Sequence, residues 1–258
     1  MLTVLLPNYR TPELTRLCLR SLRLYSDLSQ VKVIAIDNAS GDESTEYLRS
    51  LPWIRLIERT PEEVAPLAPA DMHSTALDLA LKEVDTEFVI SMHTDTILLQ
   101  SGWLDYLMSK INRSPKVAGV GSWKLEYVPP LKQFAKTLED SFKQALGLKK
   151  KEFRFLRSHC ALYRTELLKK HTRGFGDGEC AGSSIHKCLL NAGYELDFLP
   201  VSELSRYMVH MNHATMILNP VGGSGHKTNS RKAFQSLCRK MQTLDFIRIL
   251  EDDSLDGR

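Results

Sequence analysis

Residues 88–107 read FVISMHTDTILLQSGWLDYL. The first five, Phe88 to Met92, are an unbroken run of apolar or small side chains, which suits a strand buried on both faces. His93-Thr94-Asp95-Thr96 follows without glycine or proline, and a second apolar stretch starts at Ile97. Asp and Thr are ordinary turn and capping residues. A carboxylate at the end of a buried strand also suits a metal ion or a phosphate, because open α/β sheets bind ligands at the carboxyl ends of their strands. The neighbouring segments decide between these readings.

Upstream, strand and helix alternate. Thr3–Leu6, Val31–Ile36 and Trp53–Glu58 are short strands. Pro12–Leu22 carries Leu14, Leu17, Leu19 and Leu22 and opens at Thr11-Pro12-Glu13, a helix start. Ser44–Ser50 and Thr75–Lys82 are further helices, and Asp42 reads as a cap. Strands at this spacing, with helices between them, predict βαβ units and a largely parallel sheet. Downstream come a helix at Trp103–Ile111 and a strand at Val117–Trp123.

After Pro129-Pro130 the pattern changes. Residues 131–157 combine a helical period (Leu131, Phe134, Leu138, Phe142, Leu146) with a basic cluster, Lys149-Lys150-Lys151, Arg154 and Arg157. Such charges usually make a solvated helix face; the alternative is an anionic partner, phosphate or a membrane surface. His159–Tyr163 reads as a strand, Ser184–Asn191 as a helix stopped by Gly193, and Glu195–Leu199 as the final strand. Gly222-Gly223-Ser224-Gly225 reads as a mobile loop. It precedes an amphipathic helix from about Arg231 to Leu250 and an acidic end expected to fray.

A chain of 258 residues with 43% hydrophobic and 25% charged residues is a soluble globular protein with an ordinary core. No apolar run approaches the roughly 18–20 residues that cross a bilayer. Met1 leads directly into Leu2-Thr3-Val4-Leu5-Leu6, so no secretory leader is expected. Five cysteines (Cys18, Cys160, Cys180, Cys188, Cys238) without CxxC spacing point to reduced thiols in a cytoplasm rather than a disulfide scaffold or structural zinc. A net charge of +3 does not mark a nucleic-acid binder.

Several α/β chemistries fall away. The first strand-to-helix turn, VLLPNYRTPEL at residues 4–14, has no glycine for close approach of a dinucleotide pyrophosphate. No GxxxxGK[ST] or GxSxG occurs, which removes P-loop and serine-hydrolase readings.

Four segments converge on one resemblance: TVLLPNYRTPELTRLCLRSL (3–22), VKVIAIDNASGDESTEYLRS (31–50), EFVISMHTDTILLQSGWLDYL (87–107) and NAGYELDFLP (191–200). Over roughly residues 1–215 the chain resembles the inverting family 2 glycosyltransferases, especially their rhamnosyltransferase-like branch. The resemblance implies a GT-A fold, an α/β architecture with a Rossmann-like, mostly parallel central sheet flanked by helices. It implies transfer of a sugar from a UDP- or dTDP-linked donor to a hydroxyl of a glycan or lipid-linked saccharide, with inversion in a single displacement. Residues 1–220 would form the catalytic domain, 1–125 its nucleotide-sugar half and 126–220 its acceptor half. Residues 221–258 would add a loop and a C-terminal helix. The basic 131–157 segment would shape the acceptor side or touch the inner face of a membrane.

By the same resemblance, Pro7, Asn8 and Tyr9 line the base pocket, and Asp37 takes the base or ribose, where an acceptor suits a hydroxyl or N–H. As a plain turn residue, Asp37 would instead cap the next helix. Asp95 corresponds to the last acid of a DxD-like motif, with His93 where an acid usually stands. Hard divalent cations take carboxylate and phosphate oxygens, while imidazole suits Mn²⁺ better than Mg²⁺, so a Mn²⁺-preferring site is expected. His210 and His213, in RYMVHMNHATM (206–216), would complete the metal or meet the diphosphate. Lys227, with Arg231, would close over the diphosphate as a lid.

The catalytic base departs from the pattern. An ungapped count back from Tyr194 puts Ala181 and Gly182 where the family has Glu-Asp, leaving Glu179 and Asp177 as the nearby acids, Glu179 preferred. A solvated loop is the alternative for both. Two rival functions stay open. One is a sugar-phosphate nucleotidyltransferase, which would show a glycine-rich basic loop where this chain has Asn8-Tyr9-Arg10-Thr11. The other is a sugar-nucleotide-binding scaffold without turnover.

Overall fold

The strand β1 (Leu2–Asn8) is buried along its whole length and lies between β2 (Val31–Asp37) and β4 (Phe88–Met92), parallel to both. β3 (Arg55–Glu58) pairs parallel with β2 at one edge. On the other side β7 (Cys160–Arg164) runs antiparallel between β4 and β6 (Val117–Gly121), and β8 (Glu195–Phe198) closes that edge parallel to β6. The order is β3-β2-β1-β4-β7-β6-β8. This is the mostly parallel, helix-flanked sheet that the alternation predicts. A computed structural model describes residues 1–125, 153–177, 180–212, 214–219 and 231–257.

Buried on both faces, the central strands alternate their side chains between two cores. Val4 and Leu6 enter one, Leu5 the other. The first core takes Leu14, Leu17 and Leu22 of α1 (Pro12–Leu24), packed beside α2 (Glu43–Arg49). The second takes Leu77 and Leu81 of α4 (Pro69–Glu83), which follows the short α3 (Pro61–Val64). Trp103 and Leu107 of α5 (Trp103–Ile111) join the first core. The helices α6 (Thr165–His171) and α7 (Ser183–Asn191) flank β7 and β8, and Ile185 and Leu189 reach the second core. Burying each such side chain contributes about 1.5–3 kcal/mol.

Four differences from the sequence reading have physical causes. The helix expected at Thr75–Lys82 starts earlier, at Pro69, where proline supplies a ready-made first turn. Glu195–Phe198 is not the final strand. After α8 (Val201–Leu204), β9 (Met208–His210) pairs antiparallel with β5 (Thr96–Leu98), a separate ribbon whose three-residue strands are too short to show a period. The expected helix from Arg231 to Leu250 is two, α10 (Arg231–Met241) and α11 (Leu244–Glu251), interrupted at Thr243, whose backbone is extended.

The acidic end does not fray. Asp256 is buried and accepts from Arg20 Nε at 2.9 Å, Arg20 Nη2 at 2.8 Å and the Tyr47 hydroxyl at 2.9 Å. A buried guanidinium needs a counter-charge, and the tail supplies it. Leu237, Met241, Phe246 and Ile249 share the first core with α1. The helical pattern at 131–146, Lys149 to Lys151 and the Gly222–Gly225 stretch lie outside the described residues. Among the described residues no helix is long and apolar enough to cross a membrane, and all five cysteines are free.

Candidate active site

The parallel register sets Asn8 beside Asp37 at the carboxyl ends of β1 and β2. Asn8 Nδ2 donates to Asp37 Oδ1 at 2.7 Å and to Ser44 Oγ at 2.8 Å, while Asn8 Oδ1 accepts from Thr15 Oγ1 at 2.7 Å. Asp37 also accepts from Ser40 Oγ at 2.5 Å, Ser40 N at 3.1 Å and Thr45 Oγ1 at 2.9 Å. Both residues are buried, at 1% and 2% exposure, so their polar atoms are spent on one another and on the turn into α2. Pro7 is buried too, and Tyr9, beneath the Arg10 guanidinium, is the partly exposed member of the trio. Asp42 caps α2 by accepting from Ser44 N at 3.0 Å.

The carboxyl end of β4 is built differently. The β5–β9 ribbon places His210 opposite Thr96, and the Met211 N–H donates to the Asp95 carbonyl at 2.8 Å. A residue 115 positions along the chain, by subtraction of the two numbers, is thereby set against Asp95. Asp95 is 3% exposed. Its Oδ2 accepts from Ala214 N, at the start of α9 (Ala214–Leu218), at 3.2 Å. Its Oδ1 accepts no hydrogen bond and lies 3.0 Å from His210 Nε2 and 3.7 Å from His93 Nδ1. Burial works to raise the Asp95 carboxyl, but the two imidazoles and the Ala214 N–H outweigh it and hold the group below the usual carboxylate range. Asp95 is therefore ionised at any ordinary pH.

Two more histidines complete the cluster, and sequence reasoning did not propose either as a site residue. His73 comes from α4, with its ring centre 4.6 Å from that of His93; His159 precedes β7 and stacks on His210 at 4.5 Å. Ser158 Oγ lies 3.0 Å from the Nε2 atoms of both His73 and His93, and Ser122 Oγ lies 2.8 Å from His159 Nε2. Burial lowers His73 to about 4 and His159 to about 3, and pushes His93 well below the ordinary histidine value. These three rings are thus neutral at pH 7, the form that binds a metal. His73 falls just before the helix that the sequence reading starts at Thr75, where a lone histidine carries no signal of its own, and His159 reads as the first residue of a strand.

Asp177 sits apart from this group. Its Oδ2 accepts from Ser184 Oγ at 2.6 Å, and among the described residues no hydrogen bond or ion pair joins it to the histidines. The loop that carries it is pinned by Asp78, which accepts from Phe175 N at 2.6 Å and Gly176 N at 2.9 Å. Gly174 makes this possible, with φ +102°, where a Cβ would meet Asp78 Oδ1 at 2.2 Å. A Cβ on Gly182 would meet the Leu156 carbonyl at 2.5 Å, so no side chain fits at the second of the two positions where the family count places Glu-Asp, and alanine stands at the first, Ala181. Glu179, His213 and Lys227 lie outside the described residues.

The donor set fits a divalent cation. One atom each from His93, Asp95 and His210 can be chosen so that all lie within 4.8 Å of one another. Asp95 Oδ1 is a buried anion without a hydrogen-bond donor. Imidazoles with one carboxylate are a common set for borderline divalent metals.

Comparison with known proteins shows the family and the fold. The family model described as Glycosyl transferase family 2 matches residues 3–172. Among solved structures, a mannosyltransferase of Pyrobaculum calidifontis, in complex with GDP-Man and Mn²⁺, is 20% identical with a TM-score of 0.56 over 77% of this chain and 54% of its own. S. aureus TarS 1–349, in complex with UDP-GlcNAc, is 16% identical with a TM-score of 0.53 over 96% of this chain and 69% of its own. At these identities the likeness is one of fold. This chain spans about half the length of the Pyrobaculum calidifontis mannosyltransferase. No curated protein sequence matches.

Proposed function

Because this chain belongs to glycosyl transferase family 2, we propose that it transfers a sugar from a UDP- or dTDP-linked donor to a hydroxyl of a glycan or lipid-linked saccharide, with inversion. The observation that carries the reading is the Asp95–His93–His210 group at the carboxyl end of β4, where such a sheet takes its ligand. A divalent cation held by these three side chains would supply positive charge to the leaving diphosphate. Two imidazoles and one carboxylate favour Mn²⁺ over Mg²⁺.

The remaining steps belong to the chain itself. The Asn8–Asp37 network fixes the turn over which the nucleotide would lie, and Tyr9 offers a partly exposed ring to the base. Ser158 and Ser122 orient the histidines. The base, Asp177 or Glu179, would take the proton of the acceptor hydroxyl as it attacks the anomeric carbon from the face opposite the diphosphate. Inversion follows from one displacement, and no covalent nucleophile is needed. The blocked position at Gly182 keeps a second reading in view, a sugar-nucleotide-binding protein without turnover.

Thermal stability with UDP, dTDP, GDP and CDP, each with and without Mn²⁺, tests the donor site without knowledge of the acceptor. A ligand at a hundredfold excess over its Kd stabilises the folded state by about 2.7 kcal/mol. One nucleotide should raise Tm, more so with metal, and Asp95→Ala should abolish the metal-dependent part. No shift with any nucleotide would sink the reading. Turnover that survives substitution of both Asp177 and Glu179 would remove the base assignment alone.

A further inference from the structure

Two short runs flank the histidine cluster in the same way. In Ser122-Trp123 and in Arg157-Ser158 the serine is buried and bonded to the histidines, while its neighbour is half-exposed. The runs are tied together by the Arg157 N–H, which donates to the Ser122 carbonyl at 2.9 Å. Their outer side chains meet. The Arg157 guanidinium carbon lies 4.5 Å from the centre of the Trp123 ring and 5.1 Å from that of Phe155. Phe155 is buried and packs edge-on against Trp123 at 5.0 Å, which holds the indole in place.

Stacking of this kind orients a guanidinium without using its N–H groups. Among the described residues the Arg157 side chain makes no ion pair and no hydrogen bond. Among the described residues its planar fork thus stays open to an oxyanion, which a guanidinium binds through two parallel bonds. Sheet order gives the direction. Trp123 follows β6 and Arg157 precedes β7, both across β4 from β1 and β2, and so opposite the strands over which the donor nucleotide would lie.

Resting on the glycosyltransferase reading, we propose that Trp123 and Arg157 form an acceptor subsite for an acidic sugar. Its carboxylate or phosphate sits on the Arg157 guanidinium, and the apolar edge of its ring lies against the exposed part of the Trp123 indole. The basic residue at this rim then selects among acceptors by charge, and the cost of misplacing a neutral sugar is an unpaired guanidinium.

Tryptophan emission reads this site directly. The metal-free protein is titrated with glucuronate, glucose 6-phosphate, glucose and inorganic phosphate at matched ionic strength. The Trp123→Phe variant keeps Trp53 and Trp103 as the control. Glucuronate, glucose 6-phosphate or both should change the emission saturably, and glucose and inorganic phosphate should do so far more weakly. Trp123→Phe should remove the change, and Arg157→Gln should weaken binding about tenfold or more, the loss expected for a charged hydrogen bond. An equal response to glucose would overturn the role of Arg157, and an equal response to inorganic phosphate would overturn the role of the sugar ring. Silence with both acids, in protein that still gains Tm from a nucleotide with Mn²⁺, would overturn the subsite and leave the glycosyltransferase reading standing. A saturable acid response in protein that no nucleotide stabilises would support the subsite and overturn that reading instead.

Discussion

Two carboxylates end neighbouring parts of the same sheet, and their surroundings differ in kind. Asp37, closing β2, accepts four hydrogen bonds from Asn8, Ser40 and Thr45. Asp95, just past β4, accepts one through Oδ2, and its Oδ1 faces two imidazoles. Both are about equally buried. Burial alone therefore does not mark a ligand site; the informative feature is whether the buried charge has been satisfied by the chain. Asp37 has been, which makes it a fixture of the turn. Among the described residues Asp95 Oδ1 has only the two imidazoles beside it, and this is the feature on which the proposed cation site rests.

That contrast is tested most severely at Asp95. Asp95→Ala should lower turnover about a thousandfold or more, equivalent to about 4 kcal/mol of transition-state stabilisation, while costing the metal-free protein little stability. Steady-state kinetics beside a chemical denaturation curve separates the two. A variant that unfolds as readily as it loses activity would erase the distinction from Asp37. The opposite profile is expected at Asp37→Ala, which strands donors on Ser40, Thr45 and Asn8 at about 1–3 kcal/mol each. We expect a loss of about 4 kcal/mol in urea denaturation, larger than that of Asp95→Ala under the same metal-free conditions.

How much of this was open to reading from the sequence follows from how each residue reaches its place. Asn8 and Asp37 end their strands and Asp95 stands three residues past β4, so the motifs that carry the family resemblance, each built on an apolar strand and the polar residues after it, expose all three. His93 travels with Asp95, and the pair His210 and His213 stood out as two imidazoles in four residues. His73 was missed as a site residue because it stands two positions before the helix read at Thr75–Lys82, and His159 because a strand start absorbs one polar residue without comment. Nothing local announces β9, whose three residues acquire meaning only from pairing with β5. Arg20 and Asp256 lie 236 positions apart, beyond the reach of any local pattern, and an acidic tail by composition reads as solvated.

The tail gives the third test. Asp256→Asn removes the buried partner of Arg20 but keeps its shape, and Arg20 retains Asp253 and the Leu250 carbonyl. A loss of about 3 kcal/mol is expected, at the lower end of the range for breaking a buried pair. A change within about 0.5 kcal/mol, the ordinary spread for surface substitutions, would mean that the tail is an ornament and that the contrast between satisfied and unsatisfied carboxylates does not extend to it.

The smallest effect sharpens the comparison from the side of the histidines. His186, on α7, is as buried as His159, but its ring packs on Phe153 and Phe198 and its Nδ1 has no hydrogen-bond partner. Burial lowers its pKa to about 4. The sign follows from proton binding. Below the unfolded value of about 6.5 the unfolded chain takes up a proton that the folded chain refuses, so stability falls as pH drops from about 6.5 toward 4. Between pH 7.5 and pH 6 this one group should withdraw about 0.8 kcal/mol, a quantity set almost entirely by the unfolded value. His186→Phe should lose that much less over the same interval and leave the nucleotide-induced Tm shift unchanged. If the shift disappears with the imidazole, His186 belongs with His73, His93, His159 and His210, and a buried histidine among aromatic rings can no longer be set aside as packing.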